Sequence, residues 1–125
     1  MEFEQNWGKV SGQSFLYVRP KGNVSDEDWI RFFEFEPDDY RHEVFRLLVD
    51  VIGIEENIGF NGFSHIAEIL KERHVLRTRI AVLPSNSAYP TLAQLFEGVA
   101  EIKGLDLKAQ LFEQRDAAEN WLSSQ

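Results

Sequence analysis

Asp50 stands in the most apolar stretch of the chain, Phe45-Arg46-Leu47-Leu48-Val49-Asp50-Val51-Ile52. A carboxylate in such a run needs partners, because an unpaired buried charge is costly. Two readings fit it: a strand-end Asp bonded to loop amides, or a binding or acid/base group. Ser64 and His65 supply the other residue types of a hydrolytic triad. Neighbours in sequence point apart on a helix, however, and the chain has no G-x-S-x-G elbow. His42, His65 and His74 lack the spacing of a metal site, so no metal is expected. The absence of cysteine excludes disulfides, thiolate ligands and cysteine nucleophiles. Neither a G-x-G-x-x-G nor a P-loop is present, and no cofactor is implied.

The elements that must position these residues follow from hydrophobic spacing. Trp7 to Val10 and Phe15 to Arg19 read as two strands of a hairpin across Ser11-Gly12-Gln13-Ser14. Ser25 caps a helix reaching about Glu36, with Asp26, Glu27 and Asp28 in its first turn and Trp29, Phe32 and Phe33 on one face. Pro37 ends it. The strand Phe45 to Val51 follows, apolar enough to be covered on both faces. A turn with three glycines and two asparagines, Gly53 to Gly62, leads to a helix from Phe63 to about His74, capped by Asn61 or Ser64. Arg77-Thr78-Arg79 enters the strand Ile80 to Leu83. Leu92, Leu95, Phe96 and Val99 mark a helix from about Ala88 to Ile102, stopped by Gly104. Leu107 to Glu113 alternates as an edge strand, and Arg115 to Ser123 is a last helix. The order is ββαβαβαβα: an α/β fold with a mixed four- to five-stranded sheet, mainly parallel with right-handed crossovers.

In such sheets ligands sit beyond the carboxyl ends of the strands. Those ends offer Asn57, Asn61, Ser64, His65, Ser85, Asn86, Ser87 and Tyr89, hydrogen-bonding groups beside helix starts. With Asp50 they are the candidate partner- or ligand-binding residues; the alternative is ordinary turn and cap chemistry. Trp29, Phe32, Phe33, Phe35 and Tyr40 exceed what one helix face needs. They pack the core, or they form a patch that makes a homodimer or lines an apolar ligand cavity.

With 125 residues, 43% of them hydrophobic, residues 1–125 are expected to form one domain with a real core. The acidic start, Met1 to Asn6, is unlike a signal peptide. No run suits a membrane span, and a cytoplasmic protein is the expectation. Net charge is -8, which disfavours nucleic acid as a partner. Lys71, Arg73, His74, Arg77 and Arg79 form a local basic cluster. It reads as a solvated helix end or as an anion- or partner-docking patch.

Phe15-Leu16-Tyr17-Val18-Arg19-Pro20-Lys21-Gly22, Leu47 to Asp50, Arg79 to Leu83, and Lys108 to Leu122 with Ala117-Ala118-Glu119-Asn120-Trp121-Leu122 together resemble the STAS superfamily. More closely, the chain resembles the SpoIIAA-like, or STAS/SEC14-like, group of small stand-alone bacterial proteins. That resemblance implies a four- to five-stranded mixed sheet with helices mainly on one face, in a group whose members are largely of unassigned function. It also makes Ser64 the phosphorylation candidate, because anti-anti-sigma factors carry a phosphorylated Ser or Thr at the helix after the central strand. Here the turn reads Asn61-Gly62-Phe63-Ser64-His65, with no acid before Ser64 and no Gly after it. Three readings of function result. The first is a non-enzymatic binding or regulatory module contacting a protein partner around 57–65. The second is a carrier or sensor of a small apolar or amphipathic ligand, held between the sheet and helix 25–36. The third is a small enzyme using Asp50 and His65.

Overall fold

The computed structural model describes residues 3–22, 25–35, 43–52, 60–83 and 89–125. Its elements are β1 (Phe3–Val10), β2 (Gln13–Pro20), α1 (Asp26–Phe35), β3 (Phe45–Asp50), α2 (Phe60–Glu72), β4 (Arg77–Leu83), α3 (Tyr89–Ile102), β5 (Asp106–Leu111) and α4 (Arg115–Ser123). The five strands lie in the order β1-β2-β3-β4-β5. The first pair is antiparallel and the other three are parallel. This is the expected mixed sheet, with β3 at its centre.

A sheet whose parallel strands follow one another in sequence has a simple consequence. Right-handed crossovers put every connecting helix on the same face. α1, α2 and α3 are those connections, and their apolar residues share one core cluster with Leu16, Val18, Leu47, Val49, Ile80 and Leu107. α4 connects nothing in the sheet and is free to cover the other face. Its Ala118 and Leu122 pack there on Phe15, Leu48, Ala81 and Leu83. Burying one large apolar side chain contributes roughly 1.5–3 kcal/mol, and Phe45, Leu47, Leu48 and Val51 are each fully buried.

Local chemistry sets the element ends. Ser11 and Gly12 have φ of 50° and 80°, the left-handed pair of a two-residue hairpin turn. The turn is therefore shorter than the four residues expected. β1 also starts four residues before Trp7, although Glu4, Gln5 and Asn6 are poor strand formers. Tertiary contact overrides them: Phe3 is buried against Trp29 and Phe32, with ring centroids 4.8 and 5.4 Å away. Ser25 caps α1 as expected. Its Oγ accepts the Asp28 N–H at 3.4 Å, and Asp28 Oδ2 accepts the Ser25 N–H at 3.0 Å, a reciprocal box. At Gly104, φ is 81°, and Leu105 N–H returns to the Ala100 carbonyl at 3.0 Å, closing α3 in a Schellman-type turn.

Gly8 faces Phe15 across the hairpin. A Cβ there would stand 2.7 Å from Phe15 Cζ, and the Phe15 ring is itself buried under α4. Gly8→Ala is therefore expected to destabilise the protein by about 1–3 kcal/mol, the usual cost of overpacking. Urea denaturation measures it as a lower midpoint with an unchanged slope.

Candidate functional site

The crossover helices stop short of closing over the C-terminal halves of β3, β4 and β5. The space left is a cavity of about 80 Å³. Its floor is the sheet: Val49 of β3, Ile80 and Val82 of β4, and Ala109 of β5. Their spacing follows from register, since Val49 pairs with Val82 and Ile80 with Ala109. Its walls are Trp29 and Phe33 from α1, Phe63 and Ile66 from α2, and Leu92, Ala93 and Phe96 from α3. Phe63 and Phe96 stack at 4.6 Å with an 18° tilt, fixing α2 against α3. Leu92, Ala93, Val82 and Ala109 are only half-buried, whereas the rest of the lining is buried. The mouth therefore lies between the first turn of α3 and the ends of β4 and β5.

An apolar lining sets what such a space can hold. One water needs roughly 10–15 Å³ and two to four polar partners. The volume is ample, but the lining is almost entirely apolar. A ring-sized or short-chain apolar group fits the space and its chemistry.

Asp50 lies on the opposite face. Alternation along β3 turns Leu47 and Val49 toward α1–α3 and Leu48 and Asp50 toward α4. Asp50 Oδ2 accepts the Tyr17 hydroxyl at 2.8 Å, and Oδ1 accepts Arg19 Nη1 at 2.9 Å and the Ile52 N–H at 3.2 Å. Arg19 Nη2 continues to the Ile52 carbonyl at 2.9 Å. The carboxylate is thus tied to a strand-end loop and to β2. Burial first, and then the bond to Asp50, push the Tyr17 hydroxyl up to about 12. Arg115 stacks on the Tyr17 ring at 4.5 Å.

Tyr17 keeps its proton in the folded protein where the unfolded chain loses it. Its contribution to stability is therefore full below pH 10 and disappears as pH rises through about 12. Alkaline titration of tyrosinate absorbance is expected to show a late step near pH 12 that belongs to Tyr17. Tyr17→Phe removes that step.

The remaining candidate residues are scattered. α2 begins at Phe60, so Ser64 lies in its second turn and not at its N-terminus. The expected start at Phe63 and the cap at Asn61 or Ser64 are corrected on this point, since both residues lie inside α2. Burial of Gly62 and Phe63 draws a weak helix-forming stretch into the helix. Asn61 and His65 are exposed, one turn apart on the outer side of α2. Because α2 packs on the face away from Asp50, the structure does not bring Asp50 and His65 together. Tyr89 is the first residue of α3; Asn57, Ser85, Asn86 and Ser87 lie outside the described residues. Trp29, Phe32 and Phe33 are buried, so these three form no exposed aromatic patch; Tyr40 lies outside the described residues. The basic cluster is also split. Arg79 turns under α4 to Asp106 Oδ2 at 3.1 Å and Gln125 Oε1 at 3.1 Å.

No protein-family model matches the chain, and no curated protein matches it. Four solved chains do. One is the crystal structure of an uncharacterized protein of the DUF3478 family from Shewanella loihica, with a SpoIIAA-like fold. It superposes with a TM-score of 0.60 over 96% of this chain and 93% of that one, at 10% identity. The fold is SpoIIAA-like. At that identity the likeness is one of fold alone. Function must then be argued from the site that the SpoIIAA-like sheet carries. No described helix is long and apolar enough to cross a membrane.

The cavity residues missed in the sequence are Val49, Phe63, Ile66, Ile80, Val82, Leu92, Ala93, Phe96 and Ala109. All were readable as core. The available signal was size: Ala93 and Ala109 are small residues on inward-facing positions among large ones.

Proposed function

We propose that this protein is a non-enzymatic binding module for a small ligand with a ring-sized or short-chain apolar part. The observation that carries the reading is the apolar cavity between the sheet and α1, α2 and α3. A void lined by Trp29, Phe33, Phe63 and Phe96 forgoes contacts that a packed core would make, and an apolar guest restores them. A polar end of such a ligand would emerge at the mouth, beside the first turn of α3.

A protein partner is the regulatory half of the same proposal. Asn61 and His65 share the outer side of α2, whose inner side supplies Phe63 and Ile66 to the cavity. A partner docked on that side would respond to any shift of α2 on ligand entry.

Native mass spectrometry of the protein purified from its own cells tests the ligand claim. A bound small apolar or amphipathic molecule, released on denaturation, is the expected result. Uniformly ligand-free protein, together with no uptake from a cell lipid extract, would refute it.

A further inference from the structure

The two edges of the sheet are treated differently. At β5, the Glu97 carboxylate accepts the Ala109 N–H at 2.7 Å, so that edge is already engaged. β1 carries no such cover among the described residues, and it is eight residues long. Its hydrogen-bonding direction follows from the hairpin. A two-residue turn is flanked by a pair that exchanges both backbone bonds, here Val10 and Gln13. Alternation turns Glu4, Asn6 and Gly8 toward β2 in the same way. The N–H and C=O groups of Gln5, Trp7 and Lys9 face outward. The Trp7 side chain is 57% exposed on this strand. An open edge of this length invites another strand.

We propose that β1 is a homodimer interface, in which two copies pair antiparallel through this strand into one continuous sheet. A two-fold axis normal to the sheet at Trp7 satisfies the outward groups. Trp7 then faces the partner's Trp7, and Gln5 faces the partner's Lys9. Lys9 lies diagonal to the partner's Trp7, where a cation–π contact is within reach. The strand is thus complementary to itself, as a two-fold interface requires. Charge permits a second copy. The chain carries -8 overall, but β1 holds one acid, Glu4, and one base, Lys9. Repulsion between copies is small at this edge. Strand pairing alone buries less surface than a standard stable interface, so the association depends on concentration.

Sedimentation equilibrium of the full chain over a dilution series tests the proposal. At the concentrated end the mass is expected to approach twice the 14.5 kDa of one chain. Trp7→Lys removes the ring and sets two ammonium groups face to face, and should weaken the dimer at least tenfold. Gln5→Pro deletes one outward N–H, spares the bonds to β2, and should act in the same direction. Circular dichroism checks that each variant is folded. A wild-type protein that is monomeric throughout would overturn the proposal. So would a dimer whose dissociation constant neither folded variant changes.

Discussion

Ala93→Phe is expected to weaken binding of a benzene-sized ligand at least tenfold, a loss of about 1.4 kcal/mol or more. Ala93 sits at the half-buried mouth of the cavity, on the first turns of α3. A phenyl ring there points toward space framed by Val82, Leu92 and Phe96 and competes with the guest for it. The same ring fills a void, which commonly stabilises a protein by about 0.5–2 kcal/mol. The variant should therefore unfold at a denaturant midpoint near or above that of the wild type while binding poorly. Isothermal titration against one set of ligands measures the first effect, and urea denaturation the second. Retained affinity in a folded Ala93→Phe variant would place the ligand elsewhere.

Asp50→Ala should instead lower stability by about 2–3 kcal/mol. Three donors lose their acceptor at once: the Tyr17 hydroxyl, Arg19 Nη1 and the Ile52 N–H. Removing one member of a buried ion pair costs roughly 3–5 kcal/mol, but solvent softens this case. The side chains of Arg19 and Asp50 are 33% and 16% exposed, and water takes up part of the loss. Asp50→Asn keeps an acceptor for Tyr17 and is expected to lose less. Ligand affinity should survive in both, because the sheet stands between Asp50 and the cavity. Equilibrium unfolding and titration of the two variants separate this structural role from a binding one. A loss of affinity without a loss of stability would assign Asp50 to the site after all.

Much of the fold was legible because apolar spacing reports which side of an element is buried. The apolar run at Phe45 to Val51, interrupted only by Arg46 and Asp50, marked the central strand, and Leu92, Leu95, Phe96 and Val99 marked α3. Ser25 with Asp28 marked the start of α1. Element ends were harder to read where tertiary packing outweighed local preference. Phe3 draws Glu4, Gln5 and Asn6 into β1, and Phe63 draws Asn61 and Gly62 into α2. The clasp on Asp50 was half legible. Tyr17 and Arg19 are two apart on a strand and so share a face, but only the pairing of β2 with β3 brings that face to Asp50. A cavity was legible only as an alternative, from the surplus of aromatics in helix 25–36. Trp29 and Phe33 do line it, but the lining from α2, α3 and the strands was not legible, since a residue lining a void and one filling a core have the same pattern. Spacing gives direction, while a void depends on the summed volumes of side chains from six elements.

The central claim is that the space beneath α1, α2 and α3 accepts an apolar guest. Methyl-resolved NMR during titration with benzene tests it most directly. Saturable shifts confined to Val49, Ile66, Ile80, Val82, Leu92 and their immediate neighbours are predicted, and Ala93→Phe should abolish them. Unmoved methyls at those positions, or weak shifts spread evenly over the protein surface, would contradict the account.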